Sequence, residues 1–223
     1  PLYSSAASDV YKRQPLLRAL APPTFVALDI SQSALRESLA GLATVHPSVQ
    51  MLGICCDHSN LESLPAHPWL AEQRKIGFFP GSSLGNFRPE EAIQLLQRFR
   101  SLLNGGPLLL GLEQPHEPAV LEAAYDDAAG VSAAFARNLL HRLNRDLHGN
   151  IDPDQFAYSA RWQPELHRIE MALTSRCDQT IQLADQHWHF HSGEPLITEH
   201  SVKYSVSAAE PVSYTHLTLR RIE

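Results

Sequence analysis

Phe78-Phe79-Pro80-Gly81-Ser82-Ser83-Leu84-Gly85-Asn86-Phe87 joins an apolar run to a helix, and the reading of that joint decides the fold. Ile76 to Phe79 reads as a buried strand. It stops at Pro80-Gly81, passes through small and polar residues, and restarts at Pro89-Glu90-Glu91. Proline at a first helical position with acids in the first turn is a helix-start signal. A strand that opens through a Gly/Ser turn toward a helix is the joint at which α/β folds place ligands. Gly81 and Gly85 let backbone approach a ligand closely, and Asn86 offers both a donor and an acceptor. The same residues also suit a plain connecting turn.

Outward from the joint, the pattern repeats. Phe25 to Ile30 is a short apolar run carrying Asp29 at its end, and Ser31 can cap the helix bearing Leu35, Leu39 and Leu42. Val49 to Asp57 is a second such strand, followed by His58. The helix Pro89–Leu103 stops at Asn104-Gly105-Gly106, and Leu108 to Leu112 forms a fourth strand ending at Glu113. Strands alternating with helices, with acids at strand tips, predict a doubly wound α/β sheet. An acid at such a tip can hold ribose hydroxyls, although Asp29 alone reads equally as a helix cap or a surface acid.

After Pro115 and Pro118 the pattern changes. Ala119 to Leu147 reads as helical, and from Phe156 onward β-type alternation dominates, which predicts an added α+β region. Within it, Glu199 and Ser201 share a strand face by their spacing of two. Without further information they are a solvated face, Tyr125 is a half-buried helix residue, and Met171 is core. His187, His189 and His191 alternate on one strand and invite a zinc reading. It is set aside because Trp188 and Phe190 supply the buried face and no fourth ligand is evident.

Composition narrows the classes. Of 223 residues 43% are apolar and 19% charged, which is ordinary for a globular protein. A net charge of −6 gives no basic field for nucleic acid or anionic membrane. Three cysteines make no disulfide framework, so a reducing, cytoplasmic setting is expected, and Cys55-Cys56 read as inert strand residues. No apolar run approaches the roughly 18 residues of a membrane span. The end stretches, Pro1–Gln14 and Pro211–Glu223, show neither periodicity and look like translated read-through. They hold Lys12, Arg13, Arg220 and Arg221 against Asp9 and Glu223, so the interior is more acidic than the whole. If they are foreign, the chain is a fragment.

Four separated motifs then add up. FFPGSSLGNF, AAYDDAAGVSAAFARNLLHRLNRDL, HRIEMAL and GEPLITEHSVKYS, in this order, resemble the L-histidine Nα-methyltransferases of ergothioneine biosynthesis. The likeness runs from about Thr24 to Ser205. It implies a Rossmann-type domain for S-adenosylmethionine (SAM) over 15–114, incomplete here. An α+β substrate-binding domain would cover 115–200, with a return to the first domain over 201–210. By motif, the resemblance places Asp29 on the SAM ribose, Asp57 and His58 beside the adenine, and Gly81 against the co-substrate. It places Asn86 and Tyr125 at the amine and carboxylate of histidine, as the catalytic pair. Ser83 would act through water, Glu199 and Ser201 would hold the imidazole, and Met171 would pack on that ring. No metal is implied, and the expected partner is a small molecule acted on by a monomer.

The departures from the family pattern have consequences. The glycine-rich loop that cradles the methionine end of SAM would precede Thr24, and an upstream tyrosine-bearing segment is missing too. The closing strands beyond Lys203-Tyr204 are replaced by the end stretch, and His58 stands where an aromatic is more usual. This chain alone is expected to bind SAM poorly. Two alternatives stay open: a relative acting on another amino acid or amine, and a non-catalytic chain that only binds small molecules.

Overall fold

A computed structural model describes residues 13–70 and 74–205 of the chain. The end stretches set aside above therefore lie outside the described residues, except Arg13 and Gln14, which belong to the first helix. The chain divides into two compact units. Of the described residues, the first comprises 13–70, 74–83 and 89–111, the second 84–88 and 112–205. This differs from the sequence boundaries in three places, the first being that residues 112–114 fall in the second unit. The segment 84–88 joins the second unit, where Gly85 presses on the backbone of Val202 so closely that a Cβ would collide with its carbonyl. Ser201 to Ser205 also stay with the second unit instead of returning to the first.

The first unit begins with α1, residues 13–20, then β1 (Thr24–Asp29), α2 (Gln32–Val45) and β2 (Gln50–Cys55). Ser31 caps α2 as its position suggests, its Oγ accepting from the Ala34 N–H at 3.3 Å. β1 and β2 pair in parallel from Thr24↔Gln50 to Asp29↔Cys55. β3 (Gly77–Phe79), α3 (Pro89–Leu103) and β4 (Leu108–Leu110) follow, with β3 parallel to β4. The expected single doubly wound sheet is thus two parallel pairs among the described residues. The reason is hydrogen bonding: β1 and β3 each have a strand partner on one edge only. Burial in this unit falls on helix faces, with Leu35 and Leu42 of α2 and Leu95, Leu96 and Phe99 of α3 inside.

In the second unit, the stretch read as helical over Ala119–Leu147 is two helices: α4 (Pro118–Tyr125) and α5 (Val131–Leu147). The break has a local cause. Gly130 adopts φ +70°, a left-handed conformation that costs glycine little, and Asp127 accepts the N–H groups of Val131 and Ser132 at the head of α5. A hydrogen bond from the Ser132 side chain, followed by the N–H groups of Ser132 and Val131, holds the Asp127 carboxyl down to about 2, well below the ordinary carboxylate range.

Five strands follow: β5 (Phe156–Gln163), β6 (Arg168–Ser175), β7 (Gln179–Leu183), β8 (Gln186–Phe190) and β9 (Pro195–Val202). β5, β6 and β9 form an antiparallel sheet with β6 central, and β7–β8 is a separate hairpin. Ala136 and Leu140 of α5 pack with Ile151, Phe156, Leu173 and Ile181. Leu121 of α4 packs with Ala160, Ile169 and Met171. On β8 the expectation of a buried Trp188 fails: it is 52% exposed, while Phe190 packs edge-on against Phe156. No group of three or more His, Cys, Asp or Glu side chains placed to hold a metal occurs among the described residues. No helix among them is long and apolar enough to cross a membrane.

Candidate functional site

β9 and α4 supply the cluster of interest. In the β6–β9 ladder Met171 faces Glu199 and Ile169 faces Ser201, so all four share one sheet face. That face is set by a bulge between Met171 and Ala172, where Thr198 is the extra residue and its Oγ1 donates to the Met171 carbonyl at 3.1 Å. Bulges turn side chains from one face to the other, and they concentrate beside functional sites. An unbroken register would have put Glu199 opposite Glu170. Instead Glu170 lies on the other face, paired with Arg168.

Tyr125 closes α4 over this face. Its main-chain carbonyl accepts from Tyr158 Oη at 2.8 Å, and its own hydroxyl donates to Ser201 Oγ at 3.1 Å. Two residues not singled out from sequence complete the cluster. Lys203, whose side chain is 0% exposed, donates to Tyr125 Oη at 2.6 Å, to Ser201 Oγ at 3.0 Å, and to the Glu113 carboxylate. Its ammonium also lies 4.5 Å from the centre of the Tyr125 ring, within cation–π range. Glu113 is pinned from behind, its main-chain carbonyl accepting from the Tyr204 N–H at 3.0 Å. A usable signal existed: Lys203 continues the alternation Glu199, Ser201, and Glu113 is an acid at the tip of an apolar strand.

Two titrations are displaced here. Burial, with a lesser contribution from Asp126, Glu199 and Asp127, pushes the Tyr158 phenol up to about 12. Burial likewise lifts Glu199 above the ordinary carboxylate range, even though its surface stays open to solvent.

The remaining candidates are more dispersed. Asn86 ends the 3₁₀ turn Ser83–Asn86 and is exposed, next to the Gly85 that rests on Val202. Ser83, Gly81, Asp29, Asp57 and His58 belong to the first unit. Gly81 has φ +80°, and Ser83 Oγ donates to the Pro80 carbonyl at 3.4 Å. One Asp29 oxygen accepts the Ser31 N–H at 2.8 Å. Asp57 is engaged by its own turn, accepting from the Ser59 N–H and hydroxyl and from Asn60 Nδ2, which lowers its titration. The His58 ring lies 5.8 Å from that of Phe79. The parallel register sets Asp29 level with Cys55, so both acids stand at the carboxyl ends of adjacent strands. Those two acceptors suit the hydroxyls and amine of a nucleoside, which donate. A recess of about 610 Å³ in the first unit, lined in part by Glu62, His67, Lys75 and Asn104, contains none of these residues.

Against known proteins, the sequence model of the family described as "Histidine-specific methyltransferase, SAM-dependent" matches residues 4–217, reaching into both end stretches. A histidine N-alpha-methyltransferase of Mycolicibacterium smegmatis is 35% identical over 81% of this chain and 56% of its own length. One of Mycobacterium tuberculosis is 32% identical over 82% and 57%. Ergothioneine biosynthesis protein 1 of Schizosaccharomyces pombe is 26% identical over 81% of this chain and 24% of its own length. The chain thus spans about half the length of the mycobacterial relatives.

Proposed function

The chain belongs to the SAM-dependent, histidine-specific methyltransferase family, and from that premise we propose that the whole protein methylates the α-amine of L-histidine, the first step of ergothioneine biosynthesis. The observation that carries the reading is the β9 face: Glu199 and Ser201, with Tyr125 bonded to Ser201 at 3.1 Å. A carboxylate and a hydroxyl two residues apart on one strand match the two ring nitrogens of an imidazole, one of which donates while the other accepts. A side chain lacking those groups leaves them unpaired, and that can discriminate steeply.

SAM supplies a methyl group made electrophilic by its sulfonium. The amine lone pair forms the new C–N bond as the C–S bond breaks, and the proton displaced from nitrogen passes to solvent. A free α-amine titrates near pH 8, so its neutral form is accessible with a modest shift and no strong base is needed. Positioning then supplies most of the rate. In this reading Asn86 and Tyr125 hold the amine and carboxylate, Ser83 acts through water, and Met171 backs the ring. Asp29 takes the ribose, Asp57 and His58 the adenine, and Gly81 lies along the co-substrate. The two parallel strand pairs are then parts of one Rossmann sheet, joined by a strand seated between the open edges of β1 and β3. The three free cysteines suit a reducing cytoplasm.

Calorimetric titration of L-histidine into the chain, with and without S-adenosylhomocysteine, tests this. Binding is expected for wild type and lost in Glu199→Ala. Binding that is unchanged by the substitution, or as strong for phenylalanine, would overturn the imidazole assignment.

A further inference from the structure

Lys203 is a fully buried cation on the very strand face assigned to the imidazole, and methyl transfer as described gives it no task. Burying an ammonium is costly unless every proton is used, and here all three are: on Glu113, on Tyr125 Oη and on Ser201 Oγ. The Glu113 carboxylate beside it supplies the counter-charge.

The consequence concerns protons. An ammonium only donates, so neither hydroxyl can turn its own proton toward Lys203. Tyr125 has two acceptors in reach, Ser201 Oγ at 3.1 Å and Glu113 Oε2 at a marginal 3.4 Å. With the shorter bond made, Ser201 Oγ accepts from both Lys203 and Tyr125, and its two lone pairs are filled. What remains to it is one proton to donate, and no side chain among the described residues of the second unit accepts that proton.

Resting on the histidine reading above, we propose that Lys203, held by Glu113, is a positioning residue that fixes Ser201 as a hydrogen-bond donor, so that the site takes a neutral imidazole. The ring N–H goes to the Glu199 carboxylate and the ring lone pair receives the Ser201 proton. An imidazolium, which has two donors and no acceptor, faces the Ser201 proton with nothing to accept it. A ring with an N–H but no lone-pair nitrogen meets the same mismatch.

The test compares L-histidine with pyrrol-2-ylalanine and pyrrol-3-ylalanine, whose rings keep one N–H and lack the lone-pair nitrogen. Affinities are measured by calorimetry on the chain with S-adenosylhomocysteine present. Wild type should favour histidine over the better pyrrole about tenfold or more, the scale of leaving a buried donor unpaired. In Lys203→Met the Ser201 proton is free to turn back to Tyr125, and the preference should shrink at least about fivefold. Glu113→Gln should shrink it too, because Lys203 then loses the carboxylate that fixes its ammonium beside Ser201 Oγ; this variant stands in should Lys203→Met fail to fold. Equal weakening of all three ligands, with the ratio intact, is what a merely structural role gives and would overturn the proposal. Failure of the histidine reading looks different: wild type then binds no histidine, or Glu199→Ala binds it unchanged.

Discussion

The two units solve burial in opposite ways. In the second, the strands themselves are the core: Phe156, Ala160, Ile169 and Leu173 are fully buried, and two clusters of side chains pin α4 and α5 to them. In the first, the strands are only half-covered. Every residue of β1 is intermediate, Leu109 of β4 is 39% exposed, and the buried positions sit on α1, α2 and α3. Parallel strands are normally covered on both faces, and these apolar runs have the composition for that without the cover. Among the described residues, the antiparallel sheet is covered by its own helices, while the parallel pairs keep their strands half-open.

The contrast is broken most forcefully by truncating one large side chain in each sheet. Phe156→Ala should cost about 3–5 kcal/mol, because the ring is fully enclosed and its neighbours on α5 and β8 cannot collapse into the space. Leu109→Ala should cost less than about 1 kcal/mol, since much of that side chain is already wet. Urea unfolding of both variants is the check. Equal losses would mean that β4 is as well packed as β5, and the distinction would fall.

How much of this could be read from sequence follows the same line. The ends of α3 coincide with the proline and glycine signals at Pro89 and Asn104-Gly105, and β1 begins within a residue of its apolar run. The pairing of strands was not legible, because edges depend on neighbours that periodicity does not report. The break between α4 and α5 was missed since Asp126 to Gly130 interrupts two helical patterns without disturbing either; Gly130 and the capping Asp127 were the signals available. At the site, the spacing of Glu199 and Ser201 showed that they share a face. Which face was decided by the bulge at Thr198, a backbone event without a glycine or proline to announce it. Tyr125 and Ser201 are 76 positions apart, so their hydrogen bond was beyond any local pattern. They were brought forward only by the motif resemblance.

A smaller effect sharpens the picture of the second unit. Tyr158 ties β5 to the end of α4 through its bond to the Tyr125 carbonyl. Its phenol titrates at about 12 in the folded chain, against 10 when free. Between those values the unfolded chain releases the proton first, so it binds fewer protons than the folded chain and stability falls as pH rises above about 10. Tyr158→Phe should lose about 1 kcal/mol at neutral pH and flatten the decline between pH 10 and 12. Urea midpoints measured across that range would show it, and an unaltered decline would assign the titration to other groups.

The smallest effect runs the other way and belongs to the first unit. Gly41 lies inside α2, and a Cβ built there meets no atom within 4 Å. Glycine in a helix interior leaves the unfolded chain with freedom that alanine does not have, so Gly41→Ala should stabilise by roughly 0.5–1 kcal/mol. No contact changes, and the gain comes from the unfolded state alone. If burial in this unit rests on its helices, a stiffer α2 should slow amide exchange in β1 and β2 as well as in the helix. Slower exchange in α2 with β1 and β2 unaffected would show that the strand pair opens independently of the helix covering it. The half-covered strands would then be the first part of the unit to open.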